Sequence, residues 1–251
     1  MTSKRQGNKV SGAPSPSRGS GVLVRAEGLH KEYRMGDLTV PAIRGMDFVI
    51  ESGSFVCFVG PSGSGKTTLL NMIGCLDRPT AGRLGVLGTQ VADLDRKGAA
   101  TFRGEHIGFV FQDFNLIPVL TAYENVEYPL LMVQKWPADR RGERVRGLLA
   151  AAGIEEQADK RPDQLSGGQK QRVAVARALV TNPKLVLADE PTANLDHETA
   201  YRIIGLMRQL RDEFSTSFLF STHDPKIMGE AEVTFELEDG RLRQGERRTT
   251  T

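Results

Sequence analysis

Two rhythms of apolar residues run along the chain. Between residues 22 and 51 the pattern is strand-like in two stretches, Val22 to Leu29 and Ala42 to Ile50, with the turn-prone Met35-Gly36-Asp37 between them. A hairpin-like sheet is predicted there. Phe55 to Val59 is a short apolar run bounded by Gly53 and Gly60, which fits a strand buried on both faces. A helix follows from Lys66 to about Ile73, then a Gly-punctuated stretch from Gly82 to Gly88, then a strand from Ile107 to Phe111. From Asn115 to Leu165 the texture turns helical, with segments Tyr123 to Val133 and Pro137 to Ala152, Pro137 suiting a first helical position. Farther on, Lys184 to Ala188 and Ser217 to Ser221 read as strands, with a periodic helix from Glu198 to Arg211 between them. Strands separated by helices need crossover connections, so the main sheet is predicted to be parallel and the class α/β.

The 251 residues, 39% of them hydrophobic, suffice for one α/β core with an inserted lobe. The domain is placed at 21–241, with a helical subdomain at about 115–180. Residues 1–20 carry Lys4, Arg5, Lys9 and Arg18 without an acid, and the far end carries Arg241, Arg243, Arg247 and Arg248 against Glu246. Both segments hold few large apolar groups, so 1–20 and 242–251 are predicted to be disordered tails. Their charge is read as solvated, with a nucleic-acid or lipid-headgroup role as the alternative. Overall, 33 basic against 31 acidic residues leave a net charge of +2, so no nucleic-acid partner is expected. No apolar stretch follows Met1 and no window approaches 18 apolar residues, which predicts a cytoplasmic chain without a span of its own. Cys57 and Cys75 fit neither a disulfide framework nor a zinc site and read as small buried hydrophobes.

Gly60-Pro61-Ser62-Gly63-Ser64-Gly65-Lys66-Thr67 matches the phosphate-loop pattern G-x-x-x-x-G-K-T/S in full, between an apolar strand and a helix. A polyphosphate needs many donors close together, and Gly63 and Gly65 let successive N–H groups converge at a helix N-terminus. Lys66 supplies a point charge for the β- and γ-phosphates and the Thr67 hydroxyl a ligand for Mg²⁺, with Thr68 in the same nucleotide-binding set. Leu185 to Ala188 ends in Asp189 and Glu190 at the carboxyl edge of the sheet, where open α/β folds bind ligands. Neighbours on a strand point opposite ways. Asp189 is therefore assigned to the metal and Glu190 to the attacking water.

Leu165-Ser166-Gly167-Gly168-Gln169, running into Lys170 to Leu179 with Ser166, Gly167 and Gly168 opening a helix, resembles the signature of the ABC family of ATPases. The resemblance covers about Val22 to Gly240. It implies a RecA-like P-loop nucleoside triphosphatase core with an antiparallel β subdomain and an inserted α-helical subdomain. It also implies ATP and Mg²⁺ as ligands and a head-to-tail homodimer in the ATP-bound state. There Ser166, Gly167, Gly168 and Gln169 of one copy face the nucleotide held by the other copy's phosphate loop. By the same resemblance Tyr33 stacks on adenine and Gln112 reaches metal or water from a hinge. Asp196 bonds across the dimer seam and His223 reaches the γ-phosphate.

Four further stretches, Met35 to Arg44, Ile73 to Thr80, Phe102 to Gln112 and Leu120 to Val126, are similar to the lipoprotein-release and macrolide-export branch. That likeness implies transport work through a separate transmembrane permease, which would hold the chain on the inner face of the membrane. The fused arrangement is not expected, because the sequence ends shortly after the cassette. The apolar residues after Asn115 would receive a helix of that permease, or Leu116 and Ile117 belong to the core. A non-transport ATPase such as a cell-division regulator stays open as the alternative.

Overall fold

The computed structural model describes residues 21–247. Along the chain, β1 (Val22–Met35) and β2 (Leu38–Glu51) lead into β3 (Phe55–Val59), α1 (Lys66–Ile73), β4 (Ala81–Val86) and β5 (Thr89–Gln90). Next come α2 (Arg96–His106), β6 (Ile107–Val110), α3 (Ala122–Met132), α4 (Ala138–Ala151) and α5 (Gly167–Leu179). The chain continues through β7 (Leu185–Ala188), α6 (His197–Phe214), β8 (Ser217–Thr222), α7 (Pro225–Met228), β9 (Val233–Glu238) and β10 (Arg241–Arg247).

These strands form two sheets. One is four-stranded, ordered β2-β1-β4-β5, and antiparallel throughout. The other is six-stranded, ordered β10-β9-β3-β8-β7-β6, and every neighbouring pair in it is parallel except β9 with β10. Side chains of β3 show why the second sheet is central. Phe55 and Cys57 enter a core shared with α3, α4, α5 and α6, whereas Val56 and Phe58 enter a second core shared with α1 and the antiparallel sheet. The alternation of a strand sends successive residues to opposite faces, and both faces here are covered.

Most predicted elements recur, with shifted ends. β1 and β2 are each 14 residues long, because their outer halves pair with each other although they carry little buried surface. Pro137 precedes α4 as its cap instead of opening it. α3, α4 and α5 pack together through Val126, Leu130, Val145, Leu148, Leu149 and Val173. Several elements had no counterpart in the pattern, among them α2, β9 and β10. α2 buries only Ala99 and Phe102, too few to show a helical stripe, and is started by the Asp95 carboxylate accepting from the Gly98 amide at 2.6 Å. β9 and β10 form a hairpin through Asp239 and Gly240.

That hairpin corrects the predicted tail. Residues 242–247, expected to be disordered, belong to β10, whose charged sequence sits at the sheet edge and is ordered by backbone pairing with β9. The rest of the predicted tails, 1–20 and 248–251, lies outside the described residues. The hairpin also leans on the phosphate loop. The Gly240 amide donates to Ser64 O at 3.1 Å, and Gly240 O accepts from the Arg44 amide at 2.7 Å. Among the described residues no helix is long and apolar enough to cross a membrane. Cys57 and Cys75 are both free and buried.

Candidate active site

Four adjacent parallel strands, β3, β8, β7 and β6, end on one edge of the sheet. Their carboxyl ends deliver the predicted chemistry: the phosphate loop after β3, His223 after β8, Asp189 and Glu190 after β7, and Gln112 after β6. Four stretches of sequence far apart along the chain thus meet only because crossover connections bring parallel strands side by side. A cleft of about 600 Å³ joins Pro61, Ser62, Gly63, Gly65, Lys66, Thr67 and Thr68 to Gln112, Glu190 and His223.

The loop follows a tight path. Gly60 lies where a side chain would run into Leu237 O at 2.1 Å, and Gly65, at φ +102°, lies where one would meet Ala42 O at 2.7 Å. Both positions accept only glycine for steric reasons. Gly65 caps α1, whose first residue is Lys66. The Lys66 ammonium is 7% exposed and donates to Gly60 O at 2.8 Å and Pro61 O at 3.1 Å. It also lies 3.6 Å from Glu190 Oε1. The other Glu190 oxygen stands 3.0 Å from His223 Nδ1. The carboxylate therefore sits between two nitrogen groups at the cleft wall.

Asp189 and Glu190 line different spaces. Glu190 lines the cleft, whereas Asp189 lines a neighbouring cavity of about 250 Å³ together with Thr67, Phe109 and Leu187. The cause differs from simple alternation, because β7 ends at Ala188 and Glu190 takes a left-handed backbone at φ +46°. Thr67 touches both spaces. Its hydroxyl and the Asp189 carboxylate are hard oxygen donors of the kind Mg²⁺ takes alongside phosphate and water. Cys57, next to this edge, is held protonated, since burial and then the Glu190 charge push its thiol up.

Tyr33, the signature residues and Asp196 do not line the cleft. Ser166 caps α5, accepting from the Gln169 amide at 3.3 Å while Gln169 Oε1 accepts from the Ser166 amide at 2.8 Å. Gly167 and Gly168 pack beside Leu195 and Thr199, so the α5 N-terminus lies next to the start of α6. Asp196 accepts from the Thr199 amide at 3.0 Å and caps α6, and that bonding holds its carboxyl below the usual range. His197 and His106 make ring contacts with Tyr201 and Phe102, and His30 bonds to Gly28 O.

Several residues that position the site carried no signal of their own in the sequence. The buried Ser221 hydroxyl donates to Asp189 Oδ1 at 2.6 Å and accepts from the Glu190 amide at 2.8 Å. Asn194 Nδ2 donates to Gln112 O at 3.1 Å and to Asp113 Oδ1 at 3.0 Å. Arg177, from α5, donates to Phe114 O and Asn115 O at 2.8 and 2.5 Å, both acceptors being in left-handed residues. Burial pulls its guanidinium down to about 10. Gln171, fully buried, donates to Pro191 O at 2.7 Å and ties α5 to the segment after Glu190. For Ser221 the available hint was a lone hydroxyl closing the apolar run Phe218 to Phe220.

A phosphate loop, a paired acid edge and a RecA-like sheet define a P-loop nucleoside triphosphatase, and the second sheet and helical lobe narrow it to the cassette type. The chain belongs to the ABC transporter family, whose defining pattern matches residues 43–193, and is an ATP-hydrolysing member of it. It is 45% identical over 219 residues to the lipoprotein-releasing system ATP-binding protein LolD of Anaeromyxobacter dehalogenans, covering 87% of this chain and 92% of that protein. It is 44% identical over 219 residues to the macrolide export ATP-binding/permease protein MacB of Syntrophobacter fumaroxidans. That match covers 87% of this chain and 31% of MacB, so the chain spans about a third of the length of such macrolide-export relatives. The dimeric post-hydrolysis structure of the ATP-binding cassette MJ0796, bound to ADP and Pi, shares its fold at a TM-score of 0.83 and 41% identity, covering 91% of this chain and 100% of that one. MJ0796 itself comes from Methanocaldococcus jannaschii.

Proposed function

We propose that this chain is the ATP-driven half of an export or lipoprotein-release system, working as an ATP-bound homodimer on a separate membrane permease. One observation carries the catalytic part of the reading: Glu190 stands over the phosphate loop between Lys66 and His223, at 3.6 and 3.0 Å. A triphosphate entering the loop offers Lys66 a stronger partner than the two loop carbonyls it now holds. Released from Lys66, Glu190 is free to take a proton from the attacking water, and His223 remains beside it to meet the γ-phosphate. Thr67 and Asp189 would hold Mg²⁺, with Gln112 on the same edge, and the ion neutralises phosphate charge when bound. Tyr33 offers a face to the base.

The homodimer follows from a second anion site that has no use within one chain. The start of α5, capped by Ser166, does not line this chain's cleft, and helix N-termini favour anions. Ser166, Gly167 and Gly168 would complete the nucleotide pocket of a second copy, with Gln169 closing the cap behind them. The MJ0796 structure, titled as dimeric and holding ADP and Pi, supports this arrangement.

For the permease, the lobe presents an apolar surface. Val119, Leu131, Met132 and Val133 are exposed, beside a cavity of about 390 Å³ between Phe109, Phe111, Pro129 and Arg177. Leu116 is partly buried against the core, so the receiving surface lies on Val119 and α3 rather than on Leu116. The test uses Glu190→Gln. With ATP and Mg²⁺ it should bind nucleotide, stop turnover and run as a dimer with two ATP by light scattering. A variant that stays monomeric at saturating ATP overturns the shared pocket. Affinity purification from membranes should bring down a permease, and recovery of the chain without any membrane protein overturns that partner.

A further inference from the structure

Tyr33 is far from a free ring. Lys31 and Tyr33 lie two residues apart on β1 and so share one face of the strand. Asp77, just beyond α1, meets both. Tyr33 Oη donates to Asp77 Oδ2 at 2.9 Å, and Lys31 Nζ donates to Asp77 Oδ1 at 2.5 Å. The Arg78 amide donates to that same Oδ1 at 2.7 Å, and Lys31 also donates to Arg78 O at 2.9 Å. The ammonium stands 4.9 Å from the Tyr33 ring centroid. Burial raises the Asp77 carboxyl, but the bonds from Lys31, the Arg78 amide and Tyr33 outweigh it and hold it below the usual range.

Asp77 follows α1, the helix that opens with Lys66 and Thr67 of the phosphate loop, so one element links this cluster to the nucleotide site. Val40, directly opposite Tyr33 on β2, is exposed and extends the apolar surface beside the ring. A ring that merely stacks needs no hydroxyl partner. A ring that must already stand in place gains from one, because an exposed aromatic side chain loses rotamer freedom when a ligand settles on it.

We propose that Asp77, supported by Lys31, is a positioning residue for the nucleobase: it fixes the Tyr33 ring beside the phosphate loop before ATP arrives. The proposal rests on reading Tyr33 as the base platform, and the experiment separates the two. ATP and inorganic tripolyphosphate, each with Mg²⁺, are titrated calorimetrically against the full chain and its Asp77→Ala, Tyr33→Phe, double and Tyr33→Ala variants. Asp77→Ala and Tyr33→Phe should each weaken ATP about fivefold and leave tripolyphosphate unchanged. Their combination should be no weaker than the weaker single variant, since both remove one bond. In turnover, KM should rise while kcat holds.

Equal weakening of ATP and tripolyphosphate would make Asp77 a staple of the loop rather than a base-positioning group, and overturns the proposal. Unchanged ATP affinity in Asp77→Ala overturns it too. If Tyr33→Ala lowers ATP affinity selectively while Asp77→Ala does not, the platform stands and only the role of Asp77 falls. If Tyr33→Ala leaves the ATP to tripolyphosphate ratio unmoved, the platform reading falls as well.

Discussion

Ser221 bonds to the carboxylate of Asp189 and to the backbone of Glu190, so one buried hydroxyl sets the direction of two acids. Removing it strips a charge-assisted bond from a group that must stay aligned. Ser221→Ala is expected to lower kcat about tenfold with KM little changed, read by steady-state phosphate release. Lys66→Ala acts on another step. The ammonium is the buried cation nearest the loop carbonyls, and its loss should weaken ATP binding about thirtyfold or more in equilibrium titrations. His223→Ala should lower turnover about a hundredfold with binding intact, and equal losses in both would contradict a role at the γ-phosphate. The sequence pointed to Gly60 through Thr67, Asp189, Glu190 and His223, because each carries reactive chemistry in a recognisable spacing. It stayed silent on Ser221, Asn194 and Arg177, whose job is to hold backbone or carboxylate groups that only the tertiary fold brings near.

Elements with a buried stripe were legible, and elements ordered by pairing or capping were not. α6 declares itself through Ile203, Ile204, Met207 and Leu210, whereas α2 and β10 are polar along most of their length. The turn after Gln112 shows a third case. Fully buried Asn125, on α3, donates to the carbonyls of Ile117, Leu120 and Thr121 and accepts from the Ile117 amide at 2.7 Å. An asparagine inside a helix carries no such message in sequence, since the segment it serves lies outside the helix. Asn125→Ala would leave those groups partly unpaired in a dry place. A loss of about 2 kcal/mol in urea unfolding is expected, with faster hydrogen exchange at Ile117.

At the scale of the molecule, alternating strands and helices identified a parallel sheet, yet the strand order β10-β9-β3-β8-β7-β6 could not be read from them. Order depends on which crossover returns where, and several arrangements bury the same runs. The proposed second half of the pocket, which no single chain displays, rests on the resemblance. That half has a measurable consequence. Ser166→Ala removes the cap of α5 and should cost about 1 kcal/mol of stability. When mixed with Glu190→Gln protein and ATP, it should also reduce the dimer fraction seen by light scattering, and an undiminished fraction would separate that cap from the seam.

The β9–β10 hairpin reaches the phosphate loop from behind, with Leu237 O against Gly60 and the Gly240 amide on Ser64 O. An engineer trimming the chain for expression would judge those last strands expendable, and would thereby remove the back wall against which the triphosphate cradle is moulded. Tags or fusions belong after Arg247, and shortening to Glu232, which removes both strands, is expected to abolish ATP retention on a nucleotide resin even if the remaining core survives.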